Sequence, residues 1–318
     1  MSAPRAPLSP WLVLLGGILA VSTASIFIRW AQQDAPSLVI AAYRLGLAVL
    51  VLLPWAWWHQ RGRWPALRPR DWALAVGSGA FLAAHFAVWI TSLEYTTVAS
   101  SVVLVTTTPL WVALAGAWLL DEPLTRGLLL GLALALVGSV IIGLGDVCAW
   151  DGGLACGGAF DTHARALWGD VLALLGAWAA AGYLLIGRAL RKRTTLLVYI
   201  TLTYGVAAIL LFLVVGLLGL PLRGYPARTY GWFLALALIP QLLGHSSFNW
   251  ALRYLPASVV SVSLLGEPVG SSLLAYLLLH EVPSWLTLIG GALVLLGIAQ
   301  VARSTPTQAQ EVLEEVLE

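Results

Sequence analysis

Ten stretches of about twenty mostly apolar residues recur along the chain, and nothing else in the sequence constrains the fold as strongly. They run over 11–30, 37–57, 71–92, 98–120, 125–144, 167–188, 196–218, 230–252, 256–279 and 283–302. A helix needs about 20 residues to cross about 30 Å of hydrocarbon. In lipid only helices or closed barrels satisfy their own backbone hydrogen bonds, and runs this long without alternation are helices. Of 318 residues, 60% are hydrophobic and 10% charged. That is too little charge to hydrate the surface of a globule this size, so apolar surface must face lipid. Tryptophans gather near the predicted ends (Trp11, Trp30, Trp55, Trp57, Trp58, Trp72, Trp168, Trp232, Trp285), as interfacial anchors do. The first stretch is too long for a signal-peptide core of about 7–15 residues, so a retained first helix is expected.

Arg and Lys are unevenly distributed. With both termini cytoplasmic, that side collects Arg5, Arg61, Arg63, Arg68, Arg70, Arg126, Arg188, Arg191, Lys192, Arg193, Arg253 and Arg303. The outer side keeps Arg165, Arg223 and Arg228, while Arg29 and Arg44 lie within spans. Twelve against three is the bias of cytoplasmic loops, so both termini are expected inside. The long outer connection 145–166 holds both cysteines, Cys148 and Cys156. A disulfide persists in an oxidising compartment; two unpaired thiols in a Gly-rich loop is the competing reading. The acidic tail 303–318 carries Val312, Leu313, Val316 and Leu317 at helical spacing. A frayed cytoplasmic extension is expected there, since helices that short are marginal alone.

The chain also repeats itself at an offset of 159 residues. Leu93-Glu94-Tyr95 aligns with Leu252-Arg253-Tyr254, Pro109 with Pro268, Glu122 with Glu281, Gly131 with Gly290 and Gly138 with Gly297, without a gap. The first two helices of each half align only loosely, Arg44 falling opposite Tyr204. The expected organisation is a first repeat at 11–144, the connection 145–166, a second repeat at 167–302 and the tail. An odd number of helices per half makes the second enter the membrane from the opposite side. Inverted repeats let two related halves alternate access to a site between them, although repeats also occur in channels and some membrane enzymes.

The run Leu93-Glu94-Tyr95-Thr96-Thr97-Val98-Ala99-Ser100, then Thr108-Pro109-Leu110, Asp121-Glu122-Pro123-Leu124 and a helix carrying Gly131 and Gly138, resembles the EamA-type drug/metabolite transporters. The second half repeats the pattern as Ala251-Leu252-Arg253-Tyr254-Leu255-Pro256-Ala257-Ser258, Gly266-Glu267-Pro268-Val269, Glu281, Gly290 and Gly297. The resemblance covers 12–143 and 168–302. It implies an all-α secondary transporter of ten helices in the bacterial inner membrane, usually exporting amino acids, metabolites or drugs, and it does not identify the cargo.

Ionisable side chains deep in a span are costly and call for a reason. Arg44 lies well inside helix 2 and Glu267 near the middle of helix 9, within roughly 6 Å of one another in depth at about 1.5 Å per residue. One reading is a structural pair, or an Arg that snorkels outward. The other is a cavity in which one or both meet substrate and Glu267 takes up a proton. His85 and His245 occupy equivalent helices one position out of register, and His245 shares a helix face with Asn249. Interhelical hydrogen bonding and pore lining both fit them. Two histidines without a Cys or carboxylate partner make a poor metal site, so no metal is expected.

Pro109 and Pro268 fall near mid-span of helices 4 and 9, and Pro240 within helix 8. Each frees a backbone carbonyl. With Thr106, Thr107, Thr108, Ser261 and Ser263 nearby, such breaks favour cavity lining over hydroxyls that merely bond their own helix. Trp89, Trp111 and Trp178 sit away from the interfaces. They either pack, or face a cavity with Tyr43, Tyr183 and Tyr204, where they would favour aromatic or cationic cargo. Gly131, Gly138, Gly290, Gly291 and Gly297 read as close-packing stripes that make helices 5 and 10 a scaffold or homodimer surface.

A site for a small-molecule substrate is therefore expected from Arg44, Glu267, His85, His245, Asn249, Trp89, Tyr183, Tyr204 and Thr108. No G-x-x-x-x-G-K-[ST] run is present, so a gradient or downhill flow must supply the energy. Neither a cofactor nor a nucleic-acid partner is expected. Transport competes with a receptor or scaffold, for which the buried Arg and Glu would be idle. It competes also with a membrane enzyme, which would cluster catalytic groups near an interface.

Overall fold

The structure, a computed structural model, describes residues 8–60, 67–119, 126–150, 154–156, 160–255, 260 and 263–304. The features expected at Arg5, Arg61, Arg63, residues 121–124, 256–258 and 261 and in the tail beyond 304 lie outside the described residues. Among the described residues the regular structure is helical apart from one hairpin of three-residue strands, β1 (Cys148–Trp150) and β2 (Leu154–Cys156). That hairpin sits in the expected connection, and its antiparallel register sets the backbone of Cys148 opposite Cys156.

The first span is α1 (Pro10–Ser22) and α2 (Ala24–Ala31), bent at Thr23, followed by α3 (Ser37–Gln60) and α4 (Pro69–Ser92). Next, α5 (Val98–Val105) and α6 (Thr108–Leu119) are one apolar run broken at Thr106 and Thr107. The cause is local. Pro109 has no N–H to give to the carbonyl four residues earlier, and the Thr108 hydroxyl donates to that Val105 oxygen instead, at 2.9 Å. Thr106 and Thr107 likewise donate to Val102 and Leu104 at 2.9 and 2.7 Å. The chain continues as α7 (Arg126–Val147), α8 (Phe160–Arg191) and α9 (Leu196–Leu217). Then α10 (Ala227–Leu236) passes through a π-helical stretch, Ala237–His245 around Pro240, into α11 (Ser246–Ala251). Last come α12 (Gly266–Leu279), which opens just before Pro268, and α13 (Trp285–Ser304). Leu264 and Leu265 form a turn before α12, at the repeat positions of Val105 and Thr106. Both proline-bearing helices therefore break at corresponding places.

Six of the described helices are long and apolar enough to cross a membrane: Pro10–Ala31, Ser37–His59, Pro69–Ser92, Val98–Ala115, Ala164–Arg191 and Leu196–Leu217. Shorter apolar helices cover Leu129–Ile142 and Trp285–Gly297. Leu50, Trp57, Leu136, Val140, Leu217 and Leu288 all point outward and exposed, the surface that a bilayer covers and water would not tolerate.

Packing follows the repeat. α4 lies on α8, and the π stretch lies on α1; α5 touches α8, and α12 touches α1. α3 pairs with α9, α5 with α12, and α7 with α13. Exchanging the two halves maps every one of these contacts onto another. The α7–α13 contact is the closest, because glycine faces glycine. A Cβ on Gly290 would lie 2.6 Å from the Gly138 oxygen, and one on Gly297 2.6 Å from the Gly131 oxygen. Rising along α7 thus means descending along α13, so these equivalent helices are antiparallel. The glycine stripes thus meet inside the chain, the close packing and scaffold role expected of helices 5 and 10.

Connections alternate between two ends of the bundle. At one end Asp34 meets Arg228 and Thr229, Thr96 meets Asp170, and Arg29 meets Glu281. At the other, Asp71 faces Arg193 at 3.7 Å, and Arg191 donates to the Asn249 carbonyl at 2.9 Å.

Candidate functional site

A central cavity lies between the halves, with about 580 Å³ of space free of protein atoms, its open mouth included. Arg44, Glu267, His85, His245, Trp89, Tyr183 and Thr108 all line it, together with Thr106, Phe248 and several aliphatic side chains. Much of the wall is paired by the 159-residue offset. Val21 and Ala180, Ala24 and Tyr183, Trp89 and Phe248, Val105 and Leu264, and Thr108 and Glu267 each contribute one residue from either half. The cavity therefore sits where the repeat relation places it, on the line about which the halves exchange.

Arg44 is the best-defined polar group. It is fully buried in α3. Its Nε donates to Gln241 Oε1 at 2.9 Å, and its guanidinium lies over the Phe86 ring at 4.0 Å from the centroid, a cation–π contact. The Nη1 and Nη2 groups have no hydrogen-bond partner. Glu267 approaches from the opposite half, in the first turn of α12, with its backbone N–H bonded to Leu264 O at 2.9 Å. The two charges share the cavity without forming an ion pair among the described residues, so the structural pair, one of the two readings, is not formed in this state.

His85 is held by Gly176 O at 2.9 Å from Nδ1 and stacks on Trp89 at 5.7 Å. His245 packs edge-on against Phe86 at 5.2 Å. Behind the wall, Tyr183 donates to Asn249 Oδ1 at 2.6 Å, and Asn249 Nδ2 donates to Tyr204 at 3.0 Å. Asn249 and Tyr204 thus hold a lining residue without forming part of the wall themselves.

Other aromatics lie elsewhere. Trp178 is 54% exposed on the outer surface. Trp111 donates to the Thr107 hydroxyl at 3.3 Å, and Tyr43 stacks on Phe233 at 4.7 Å while donating to Leu222 O at 2.6 Å. Trp111 and Tyr43 pack, Trp178 faces outward, and none of the three lines the cavity.

The sequence reading missed Gln241, the residue that orients Arg44. A lone amide beside Pro240 in an otherwise apolar stretch is the signal that would have found it. It also missed a cluster at the Asp34 end. Arg29 donates to Glu281 at 2.9 Å and to Thr96 O at 3.2 Å, and Glu281 accepts from the Val98 N–H at 2.9 Å. That carboxylate caps the N-terminus of α5, where the helix dipole favours negative charge. The offset relates Arg29 to Arg188 and Thr96 to Leu255, and Arg188 does donate to Leu255 O at the opposite end.

Comparison with known proteins agrees with this architecture. An uncharacterized transporter of Archaeoglobus fulgidus is 23% identical over 291 residues, spanning 90% of this chain and 95% of that protein. The uncharacterized transporter YetK of Bacillus subtilis is 25% identical over 293 residues, spanning 90% of this chain and 84% of its own length. A solved crystal structure, 21% identical, superposes with a TM-score of 0.62 over 92% of this chain and 97% of that one, which speaks to the fold alone. The model of the EamA-like transporter family matches twice, over residues 8–144 and 167–303. With two repeats that fill most of its length, the chain belongs to the EamA-like transporter family.

Proposed function

We propose that the protein is a secondary transporter that moves a small metabolite through the central cavity by alternating access. In this reading it has ten spans, arranged as two inverted five-helix halves, with both termini cytoplasmic and export of an amino acid, amine or drug-like molecule as its task. The observation that carries the proposal is the cavity wall built from repeat-paired positions, with Arg44 and Glu267 inside it. The antiparallel α7–α13 crossing supports inversion of the halves. Membership in a transporter family and relatives named as transporters weigh against a receptor, a scaffold or an enzyme.

Closure at the Asp34 end is assigned to the Arg29–Glu281 pair. It ties α2 to the end of α12 and to the start of α5, so it joins both halves at that end. Arg188 and Leu255 are the counterpart at the other end. Glu267 is the coupling group, because it is the one carboxylate among the described cavity-lining residues and sits beside the helix break that must move. Flux in proteoliposomes, with and without a pH gradient, tests the reading. Gradient-driven flux that vanishes in Glu267→Gln while the protein still folds supports it. Flux insensitive both to that change and to pH overturns the coupling assignment, and absence of flux for amines, amino acids and carboxylates alike overturns transport.

A further inference from the structure

We propose that Arg44 binds a carboxylate on the cargo, so that the transported molecule is a monoanionic organic acid with a flat apolar body. This rests on the transport reading and narrows it. Arg44 is 0% exposed, and a buried guanidinium with unmet hydrogen bonds is costly. Its orientation is already fixed, by Gln241 at Nε and by Phe86 beneath the plane. What remains is the pair of Nη groups, both buried and unpartnered, on a residue that lines the cavity. Their parallel N–H bonds match the two oxygens of a carboxylate, the geometry at which Arg binds most strongly.

Charge sets the limit. Arg44 is the sole Arg or Lys among the described lining residues, so a single negative charge balances it and a phosphate dianion would not be matched. Glu267 does not take that role, since the two form no ion pair. The rest of the wall prescribes the body. Trp89 and His85 lie nearly parallel, and Phe248 lines the same cavity at the repeat position of Trp89, so the wall offers aromatic surface to a planar ring.

The test uses the purified full-length protein and three probes of one shape: 3-phenylpropionate, 3-phenylpropionamide and 3-phenylpropylamine. Equilibrium binding is expected to favour the acid over the amide by roughly 10- to 100-fold, the range for a hydrogen bond to a charged group. The amine should bind no better than the amide. In Arg44→Gln the acid should fall to the level of the amide, whose own affinity reports that the variant is folded; Arg44→Lys should keep part of the preference. An amide or amine that equals the acid in the unaltered protein overturns the proposal, and so does an acid preference that survives Arg44→Gln. Failure of phenylpropionate and benzoate alike to bind overturns it too. Acid-selective binding without flux would refute transport and leave only the Arg44–carboxylate contact standing, whereas flux of amines but not acids would uphold transport and overturn the acid cargo.

Discussion

Replacing Gly290 by Ala tests the reading that α7 and α13 form the scaffold of the molecule through backbone contact. The added Cβ would lie 2.6 Å from the Gly138 oxygen, 2.8 Å from Ile142 Cγ1 and 3.0 Å from the Ile142 nitrogen. Ordinary contact begins at 3.4 Å, and two of the three neighbours are backbone atoms that no rotamer change can remove. The helices must part by about 0.8 Å or slide, and overpacking of this kind costs about 1–3 kcal/mol. Ala also gains about 1 kcal/mol over Gly in helix propensity, so the steric loss is partly masked. The net cost is about 0–2 kcal/mol, so at about 2–4 °C per kcal/mol the unfolding temperature should fall by up to about 8 °C, and lie about 2–12 °C below that of a glycine-to-alanine change without the clash. Tryptophan fluorescence during heating of the detergent-solubilised protein measures it. Gly291→Ala is the matched control, since its Cβ would meet nothing nearer than Val103 Cγ2 at 3.6 Å, and it should be neutral or slightly stabilising. The double variant Gly138→Ala with Gly290→Ala should cost less than the sum, because parting the helices once relieves both contacts. Equal unfolding temperatures for Gly290→Ala and Gly291→Ala would refute the packing argument. Loss of a dimer with unchanged monomer stability would restore the glycine stripe as an interface between copies.

Three further outcomes are expected. Arg29→Gln or Glu281→Gln should loosen the Asp34 end: the pair is about a quarter exposed, which limits it to about 0.5–1 kcal/mol, so thiol labelling of Ser272→Cys beside it should rise about two- to five-fold, and unchanged labelling would remove the pair from the closing contact. Tyr183→Phe should destabilise by about 1–3 kcal/mol by stranding the buried Asn249 oxygen, with a sub-additive double variant with Tyr204→Phe because both bond the same amide. Hydrogen bonds from Arg228 and then Thr229 hold the Asp34 carboxyl below its ordinary value. Its contribution is therefore complete above the usual carboxylate range and lost as pH falls through the lowered value, so the unfolding-temperature gap between the protein and Asp34→Asn should be flat near neutrality and close in acid; a gap that widens in acid would reverse the assignment.

The long helices were legible because lipid imposes one simple requirement, length of apolar run, which six of the described helices meet. The breaks were legible too, since Pro109, Pro240 and Pro268 cannot donate to the preceding turn. What the sequence hid was direction. Trp89 and Trp178 read alike, as mid-span tryptophans, yet one lines the cavity and the other faces outward. In an all-apolar helix no hydrophobic stripe marks the inner face, because lipid and protein core are equally apolar. Polar residues were therefore the better guides. Arg44, Glu267, His85 and His245 all reached the cavity, and Gln241 was overlooked only because it carries no charge. The repeat was visible from Leu93 onward, where Tyr, Pro and Gly fix the register. It was blurred in the earlier helices, where Gly17 with Gly176 and Arg29 with Arg188 keep the same offset amid interchangeable Leu, Val and Ala.

In the proposed alternating-access reading, the paired wall lets one site serve two states. Where the halves agree in kind, as Val105 with Leu264 or Trp89 with Phe248, exchanging their conformations replaces each contact by a similar one, so neither state is strongly preferred by packing. A near-balanced equilibrium is what a modest ligand can shift, since the shift is bounded by its differential affinity for the two states. A closing contact worth about 0.5–1 kcal/mol, such as Arg29–Glu281, is matched to that scale; a much stronger one would lock the end shut. Specificity must then come from the pairs that disagree. Thr108 opposite Glu267 and Ala24 opposite Tyr183 give one half the carboxylate and the phenol that the other lacks. Arg44, in the loosely aligned part of the repeat, supplies the opposite charge from the first half. The symmetric positions make the motion inexpensive, and the asymmetric ones make the cavity chemically one-sided, so that a cargo is read by residues whose counterparts have been freed from reading it.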